Sequence, residues 1–427
     1  MGHWSPRLVN EAACPRTDFF ANESLTPRGR PSATVVNLTL IHDTVNGGSS
    51  GVTAREGMQS RFIVIGAGMA GASAAAFLAR HGPTLILEAE DHPGYHATGR
   101  SAASYIDTYG HPTVCALTRA SRGFLWSPPE GFADTPLVRM RAVLEIAIPE
   151  QAAALARSLD DGDGSLQPVE AAEVRRLCPI LRPEIDWRGA LNSATADIDV
   201  EVLLQGFLRR TKARGAALVT GARVTGLDRT AAGWRAATSA CVFEGDVVVN
   251  AAGAWAGAVG RLAGLGDLGL TPMRRTALRL QPAPHEGLAD WPFVIDVEER
   301  FYFKPDAGGL LLSPADETPS EACDAQAEEL DIALAVDAFE QATTEQVRRV
   351  AHRWAGLRTF APDRILVVGA DPREPAFFWL AGQGGYGIQT APALGAATAA
   401  LLMTGELPAH LLAEGLNASD LSPGRLI

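Results

Sequence analysis

Residues 62–88 constrain this chain more than any other stretch. The apolar run Phe62-Ile-Val-Ile65 reads as a buried parallel strand, Gly66, Gly68 and Gly71 as a tight turn, and 70–80 as a helix that Gly82 stops. Thr84-Leu-Ile-Leu87 is a second buried strand, and it delivers Glu88, 22 residues after Gly66. This is the pattern of a βαβ unit that binds a dinucleotide. Gly66 permits the turn, Gly68 admits backbone to a pyrophosphate at the helix N-terminus, and Gly71 lets the helix lie close on its strand. Glu88 stands where an acid binds a ribose diol. A GxGxxG alone is weak evidence, but strand, helix, second strand and acid together make it specific. The motif leaves FAD, NAD and NADP open.

Composition narrows the class. With 427 residues, 47% hydrophobic and 20% charged, the chain can bury a large core, and its length suggests two or three domains. A net charge of −12 and scattered arginines leave no electrostatic footprint for nucleic acid. Of the 37 basic residues only Lys212 and Lys304 are lysine. Cys14, Cys115, Cys178, Cys241 and Cys323 are widely spaced without a CxxC, so neither a disulfide framework nor a metal site is expected, and a reducing, cytoplasmic setting fits. No apolar segment reaches the roughly 18 residues of a transmembrane helix. Residues 1–57 are polar, rich in Asn, Ser, Thr, Pro and Gly, and lack a secretory pattern. They are expected to be disordered, and the favoured reading is an extension upstream of a start at Met58.

Further along, the pattern alternates. A short strand over 142–148, a polar Asp160-Asp-Gly-Asp-Gly164 loop and a helix over 168–177 do not continue a doubly wound sheet, so a second domain is inserted. Asp199 reads as the N-cap of a helix over 200–214, followed by paired strands at 217–227 and 233–240 and the apolar strand Val247-Val-Val-Asn250. Asn250-Ala-Ala252-Gly253-Ala-Trp255 ends that strand in small residues, at the edge where open α/β sheets bind ligands. A hairpin from 301–303 and 310–313 and a helix over 331–341 revisit the inserted domain, and strands at 364–369 and 377–381 return to the first. The expected division assigns 58–135, 199–271 and 354–427 to the nucleotide domain and 136–198 and 272–353 to the inserted one.

Gly382-Gln-Gly384-Gly385-Tyr386-Gly387-Ile388-Gln389 then opens a long small-residue helix ending near Thr404-Gly405. A helix N-terminus carries about half a positive charge, and glycines let backbone reach a planar ligand. A reduced flavin, anionic around N1 and C2=O, gains from such a site where nicotinamide does not, so the segment favours FAD. The expected fold class is therefore α/β: a Rossmann-like FAD-binding domain with an interleaved, mostly antiparallel β-sheet (α+β) substrate domain.

These segments, together with Pro93-Gly-Tyr-His-Ala-Thr-Gly-Arg-Ser-Ala-Ala103, Phe301-Tyr-Phe-Lys-Pro-Asp306 and Trp354-Ala-Gly-Leu-Arg358, resemble the FAD-dependent D-amino-acid oxidase and dehydrogenase superfamily, and within it the bacterial D-arginine dehydrogenases, over about residues 61–427. The resemblance implies non-covalent FAD held at Gly66, Gly68, Ala70, Gly71, Glu88, Ala89, His96, Thr98, Gly99, Arg100, Ser101, Ala103, Ser104, Val224, Ala252, Gly253, Gly384, Gly385, Tyr386, Gly387, Ile388 and Gln389. It implies a free D-amino acid as substrate, bound by Tyr109, Arg275, Tyr302 and Arg358 with Ser104, Val143, Gly385 and Gln389 around it. Tyr109, Arg275, Tyr302, Arg358 and Gln389 are the expected catalytic set, with Arg274 leaving a one-residue ambiguity that alignment resolves to Arg275. Two guanidinium forks and tyrosine hydroxyls suit a carboxylate. Hydride would pass from Cα to flavin N5, giving an imino acid that hydrolyses to a 2-oxo acid and ammonia, with a quinone or electron carrier as final acceptor.

Two departures bear on specificity. The family's acid facing a substrate guanidinium falls at Val143, with Glu145 on the same strand face, and a family histidine appears as Ser104. Loss of that counter-charge shifts the expected preference towards neutral or apolar D-amino acids. The alternatives are a glycine-, sarcosine- or amine-type oxidase that makes hydrogen peroxide, and a non-catalytic flavin-binding redox sensor.

Overall fold

A computed structural model describes residues 56–427 apart from Asp163; the expectations for the N-terminal extension up to residue 55 lie outside the described residues. The strand Glu56–Ile65 runs parallel to Thr84–Leu87 on one side and to Val242–Asn250 on the other, so the βαβ reading of residues 62–88 holds. Ala217–Val219 extends the parallel set beyond Thr84–Leu87, and Glu374–Ala381 extends it beyond the C-terminal half of Val242–Asn250. The N-terminal half of that same strand instead carries an antiparallel hairpin of Val224–Thr230 and Gly233–Thr238, and Val367–Asp371 closes the other branch.

Strand alternation builds two cores. Phe62, Val64, Ile86, Val249 and Phe378 face one side, against the helices Met69–Leu78, Pro112–Trp126 and Ala391–Thr404. Ile63, Ile65, Leu85, Leu87, Val248, Phe377 and Trp379 face the other, covered by the hairpin and the helix Ala256–Leu262. Small residues set the first spacing. A Cβ on Gly395 would stand 2.9 Å from Ser73 O, so the two alanine-rich helices pack almost backbone to backbone.

The second sheet has the strand order Thr318–Pro319, Thr271–Leu280, Gly309–Ser313, Tyr302–Asp306, Phe293–Asp296, Val143–Ala147, Arg188–Asn192, Gln167–Val169, with Val350–Phe360 also on Thr271–Leu280. Every pairing is antiparallel except Phe293–Asp296 with Val143–Ala147. Because Val350–Phe360 pairs along its whole length, this sheet runs on to Phe360. The helix Glu329–Ala342 buries Ile332, Ala335 and Phe339 beneath it. A small third sheet joins Ser104–Tyr105, Ala196–Ile198 and Val138–Met140.

Several element readings need correction. The strand expected over 217–227 is two strands, turned at Gly221 with φ +61°, because Ala217–Val219 pairs with Thr84–Leu87 and Val224–Thr230 with the hairpin. Residues 167–169 form an edge strand before a shorter helix Ala171–Leu177, and the helix Ala152–Asp161 runs into the expected acidic loop. Asp199 does cap its helix, accepting the N–H of Val202 at 2.9 Å. Among the described residues no helix is long and apolar enough to cross a membrane.

Candidate active site

The parallel strands all end on one rim. Gly66, Glu88, Ala251 and Gly382 follow their last residues, and the slot that opens there runs between this rim and the second sheet. A narrower half is lined by Gly66, Glu88, Ala89, His96, Val224 and Ala252; a wider half by Ala70, Ser101, Ala103, Ser104 and residues 383–389. Gly68, Thr98, Arg100 and Gly253 belong to both, so the slot is continuous.

The glycine motif works by contact. Gly66 holds φ +102°, and a Cβ on it would stand 2.6 Å from Ala251 O; one on Gly71 would lie 1.9 Å from Gly66 O. Gly71 therefore sets helix-on-strand distance without lining the slot, and Gly99, tucked against Gly94 O, does not line it either. Thr98 Oγ1 accepts the Met69 N–H at 3.0 Å in the first helical turn. Glu88, 8% exposed, is aimed by the N–H groups of Ala67 (2.6 Å) and Glu90 (2.9 Å).

A dinucleotide fits what this rim leaves open. Ser101 Oγ, Thr359 Oγ1 and Gln383 Nε2 belong to lining residues, are buried, and have no partner among the described residues. His96 lies in the narrower half, its Nε2 3.0 Å from Glu90 and its ring 4.6 Å from that of Trp255. Although His92 and His96 are four residues apart, Tyr95 stands edge-on to both. The Gly382–Gln389 segment is not the first turn of a helix: it is an irregular turn with Gly382 at φ +71° and Gly384 at φ +51°, and the helix begins at Ala391. Tight contacts shape it. A Cβ on Gly384 would meet the Phe360 ring at 2.3 Å, and one on Gly385 would meet the Arg358 guanidinium at 3.0 Å.

In the wider half the second sheet supplies the charge. Arg275 sits opposite Gly356 in the register, so Arg358, two residues along, emerges diagonally from it on the same face. Arg274 points to the other face, where Asp331 holds it at 2.9 Å and Glu328 more closely still, so of the two it is Arg275 that lines the slot. Arg275 is 7% exposed and donates from Nη2 to Glu317 at 3.1 Å; Glu317 in turn takes Arg364 at 2.9 Å. Arg358 has no carboxylate partner among the described residues. Burial would raise the Tyr302 phenol, but the guanidiniums of Arg358 and Arg275 outweigh it and hold it below its ordinary value. The wall is built for negative charge.

Other expected residues are placed differently. Gln389 lines the slot, but its amide is spent: Oε1 accepts the Ile106 N–H at 3.0 Å and Nε2 donates to Thr118 Oγ1 at 3.0 Å, so it braces the wall rather than offering a free group. Tyr109 donates its hydroxyl to Glu299 at 3.3 Å, and burial together with that carboxylate keeps the phenol protonated well above its usual range. Val143 does not reach the slot. It packs in an apolar cluster with Ile106, Phe293 and Tyr302, and Phe293, Ile295 and Ala277 form the apolar wall instead. Glu145 accepts the Ser158 hydroxyl. Sequence reasoning missed Phe293, Ile295, Glu299, Thr359 and Glu317. Glu299 is set at φ +55° by a turn in which buried Asp296 accepts the N–H groups of Glu298 (3.1 Å) and Arg300 (3.3 Å).

Comparison with known proteins assigns this architecture. Residues 61–401 match the family described as DAO, FAD dependent oxidoreductase. The chain belongs to that family. FAD-dependent oxidoreductase domain-containing protein 1 from Bos taurus is 26% identical over 409 residues, 81% of this chain and 82% of that protein. Glycine oxidase from Geobacillus kaustophilus shares the fold with a TM-score of 0.74 at 20% identity, covering 86% of this chain and 99% of that one. L-Proline dehydrogenase from P. horikoshii gives 0.73 at 20% identity, covering 86% and 97%. As a DAO-family flavoprotein the chain is an FAD-dependent oxidoreductase of mixed α/β fold.

Proposed function

We propose that this DAO-family protein oxidises free amino acids, D-amino acids with uncharged side chains in particular, and passes the electrons to a quinone or electron carrier. The observation that carries the reading is Arg358, a guanidinium without a carboxylate partner among the described residues, on the same face as Arg275 and beside the acidified phenol of Tyr302. FAD, bound non-covalently, supplies the two-electron acceptor for the hydride at Cα. Arg358 and the free edge of Arg275 clamp the α-carboxylate, and the Tyr302 hydroxyl completes its hydrogen bonds. Phe293, Ile295 and Ala277 receive the side chain in place of Val143, which keeps the preference apolar on different residues. The ammonium proton leaves to water, and hydrolysis of the imino product yields the 2-oxo acid and ammonia. Glycine oxidase and L-proline dehydrogenase, which share the fold, act on amino acids by their names. The glycine oxidase favours the second reading, an oxidase of small amines that releases peroxide.

The deciding experiment mixes the holoprotein anaerobically with a panel of D- and L-amino acids, glycine and sarcosine while flavin absorbance is followed, then repeats the mixing in air. Bleaching by D-leucine, D-methionine or D-phenylalanine with slow reoxidation is expected. No bleaching by any amino acid refutes the reading, and fast peroxide formation with glycine or sarcosine replaces it with the second.

A further inference from the structure

The strip 101–103 on the wider half of the slot is gripped from outside. Trp354 Nε1 donates to Arg100 O at 3.1 Å, Lys304 Nζ to Ala102 O at 2.5 Å, and the Ile198 N–H to Ala103 O at 2.8 Å. Ala103 is held at φ +47°, a left-handed conformation that strains any residue with a Cβ. With those three carbonyls taken, the amide N–H groups of Ser101, Ala102 and Ala103 have no acceptor among the described residues, and all three residues line the slot. A run of unpaired donors along a cavity wall is a site prepared for an acceptor-rich ligand edge.

Lys304 is the unusual member of this clamp. It is one of only two lysines in an arginine-rich chain, and it is 5% exposed. Its ammonium also meets Asp197 Oδ1 at 2.6 Å and Ser104 Oγ at 3.3 Å, while the other Asp197 oxygen takes Arg141 Nε at 2.5 Å. Two buried cations thus share one carboxylate, and a net positive charge stays beneath the slot floor. An ammonium points its three donors tetrahedrally from one atom, whereas a guanidinium spreads its donors in a single plane.

We propose that Lys304 is a positioning residue for the flavin. It turns the Ala102 carbonyl outward so that the 101–103 amides are free for the ring edge, and its charge, half-cancelled by Asp197, favours the anionic reduced ring over the oxidised one. The inference rests on the wider half of the slot holding the flavin ring.

Lys304→Met removes the ammonium and keeps the stem. In that variant, FAD added back to apoprotein and followed by quenching of flavin fluorescence binds about tenfold more weakly. Its reduced form loses about a further tenfold, which lowers the midpoint potential by about 30 mV for a two-electron couple. Lys304→Arg keeps the charge and restores most of the potential but not the affinity. A folded Lys304→Met protein with wild-type potential and affinity, altered only in melting temperature, overturns the proposal. Should that variant not fold, Asp197→Asn decides: it keeps the ammonium and deletes the counter-charge, so the potential must rise, and no change or a fall overturns the proposal. None of these readouts needs an amino acid, so failure of the substrate reading leaves this test intact.

Discussion

Arg275 and Arg358 contribute unequally to the same wall. Glu317 already occupies one edge of Arg275, whereas Arg358 forms no ion pair with a carboxylate among the described residues and feels Glu317 only at longer range, so a bound carboxylate should owe more to Arg358. A charge-assisted hydrogen bond is worth about 1.5–3 kcal/mol, and Arg358→Met is expected to lower kcat/KM about 10- to 100-fold, with Arg275→Met costing less; steady-state kinetics of the two variants checks the order. Tyr302 gives a pH signature. Its phenol is held below the ordinary value of about 10 by the two guanidiniums. It is therefore neutral at low pH and becomes an anion as pH rises through that lowered value, competing with the substrate carboxylate for the same cations. Carboxylate affinity should fall on the alkaline side in the wild type, and Tyr302→Phe should remove the fall. Titration of flavin absorbance with a carboxylate inhibitor across that range measures both. At this scale Tyr302 and Arg358 stood in motifs that could be quoted from the sequence, whereas Tyr109 and Arg275 were reached only by alignment with the resembling family. Glu317, Glu299 and Phe293 were not legible, since Glu299 and Phe293 reach the slot, and Glu317 reaches Arg275, through pairings far apart in the chain.

At the scale of elements, glycine positions were legible where they close a turn and misleading where they precede a helix. Gly71 allows no side chain: a Cβ 1.9 Å from Gly66 O forces the helix Met69–Leu78 off its strand. Gly71→Ala should purify without FAD and melt lower, overpacking of this kind costing about 1–3 kcal/mol; the absorbance ratio of flavin to protein and a thermal melt read both effects. Gly384→Ala meets the Phe360 ring and a positive φ together, so it should lower FAD occupancy with less loss of global stability. The parallel strands were readable because buried β runs are continuous in sequence. Val143 was assigned to the slot because the resembling family's acid falls at that position, but Phe293–Asp296 lies parallel beside Val143–Ala147, and Phe293 and Ile295 line the slot instead. The split of 217–227 was equally hidden, because both halves are apolar and only Gly221 marks the turn.

Across the whole molecule, Arg100 ties the nucleotide-binding rim to the second sheet by donating to Ala325 O (3.1 Å), Ala355 O (3.0 Å) and Asp324 (2.5 Å). The slot proposed to hold FAD crosses the same joint, so cofactor and Arg100 should stabilise it together. At a hundredfold excess over its Kd, FAD adds about 2.7 kcal/mol to a protein that binds it only when folded, and Arg100→Met should lose part of that gain as well as melt lower without cofactor. Thermal melts of apo and holo forms of both proteins test this.

The three separate visits of the chain to its first sheet also govern when the molecule can come into being. Gly66 and Gln389 lie 389 − 66 = 323 residues apart, yet both face one slot. At about 5–20 residues per second, the glycine turn leaves the ribosome on the order of tens of seconds before its partners exist, and for that interval no FAD can be held. The apolar edge of Glu56–Ile65 has to wait for Val242–Asn250, and Val242–Asn250 for Glu374–Ala381. Cofactor can therefore act on the complete slot only after residues 383–389 have been made.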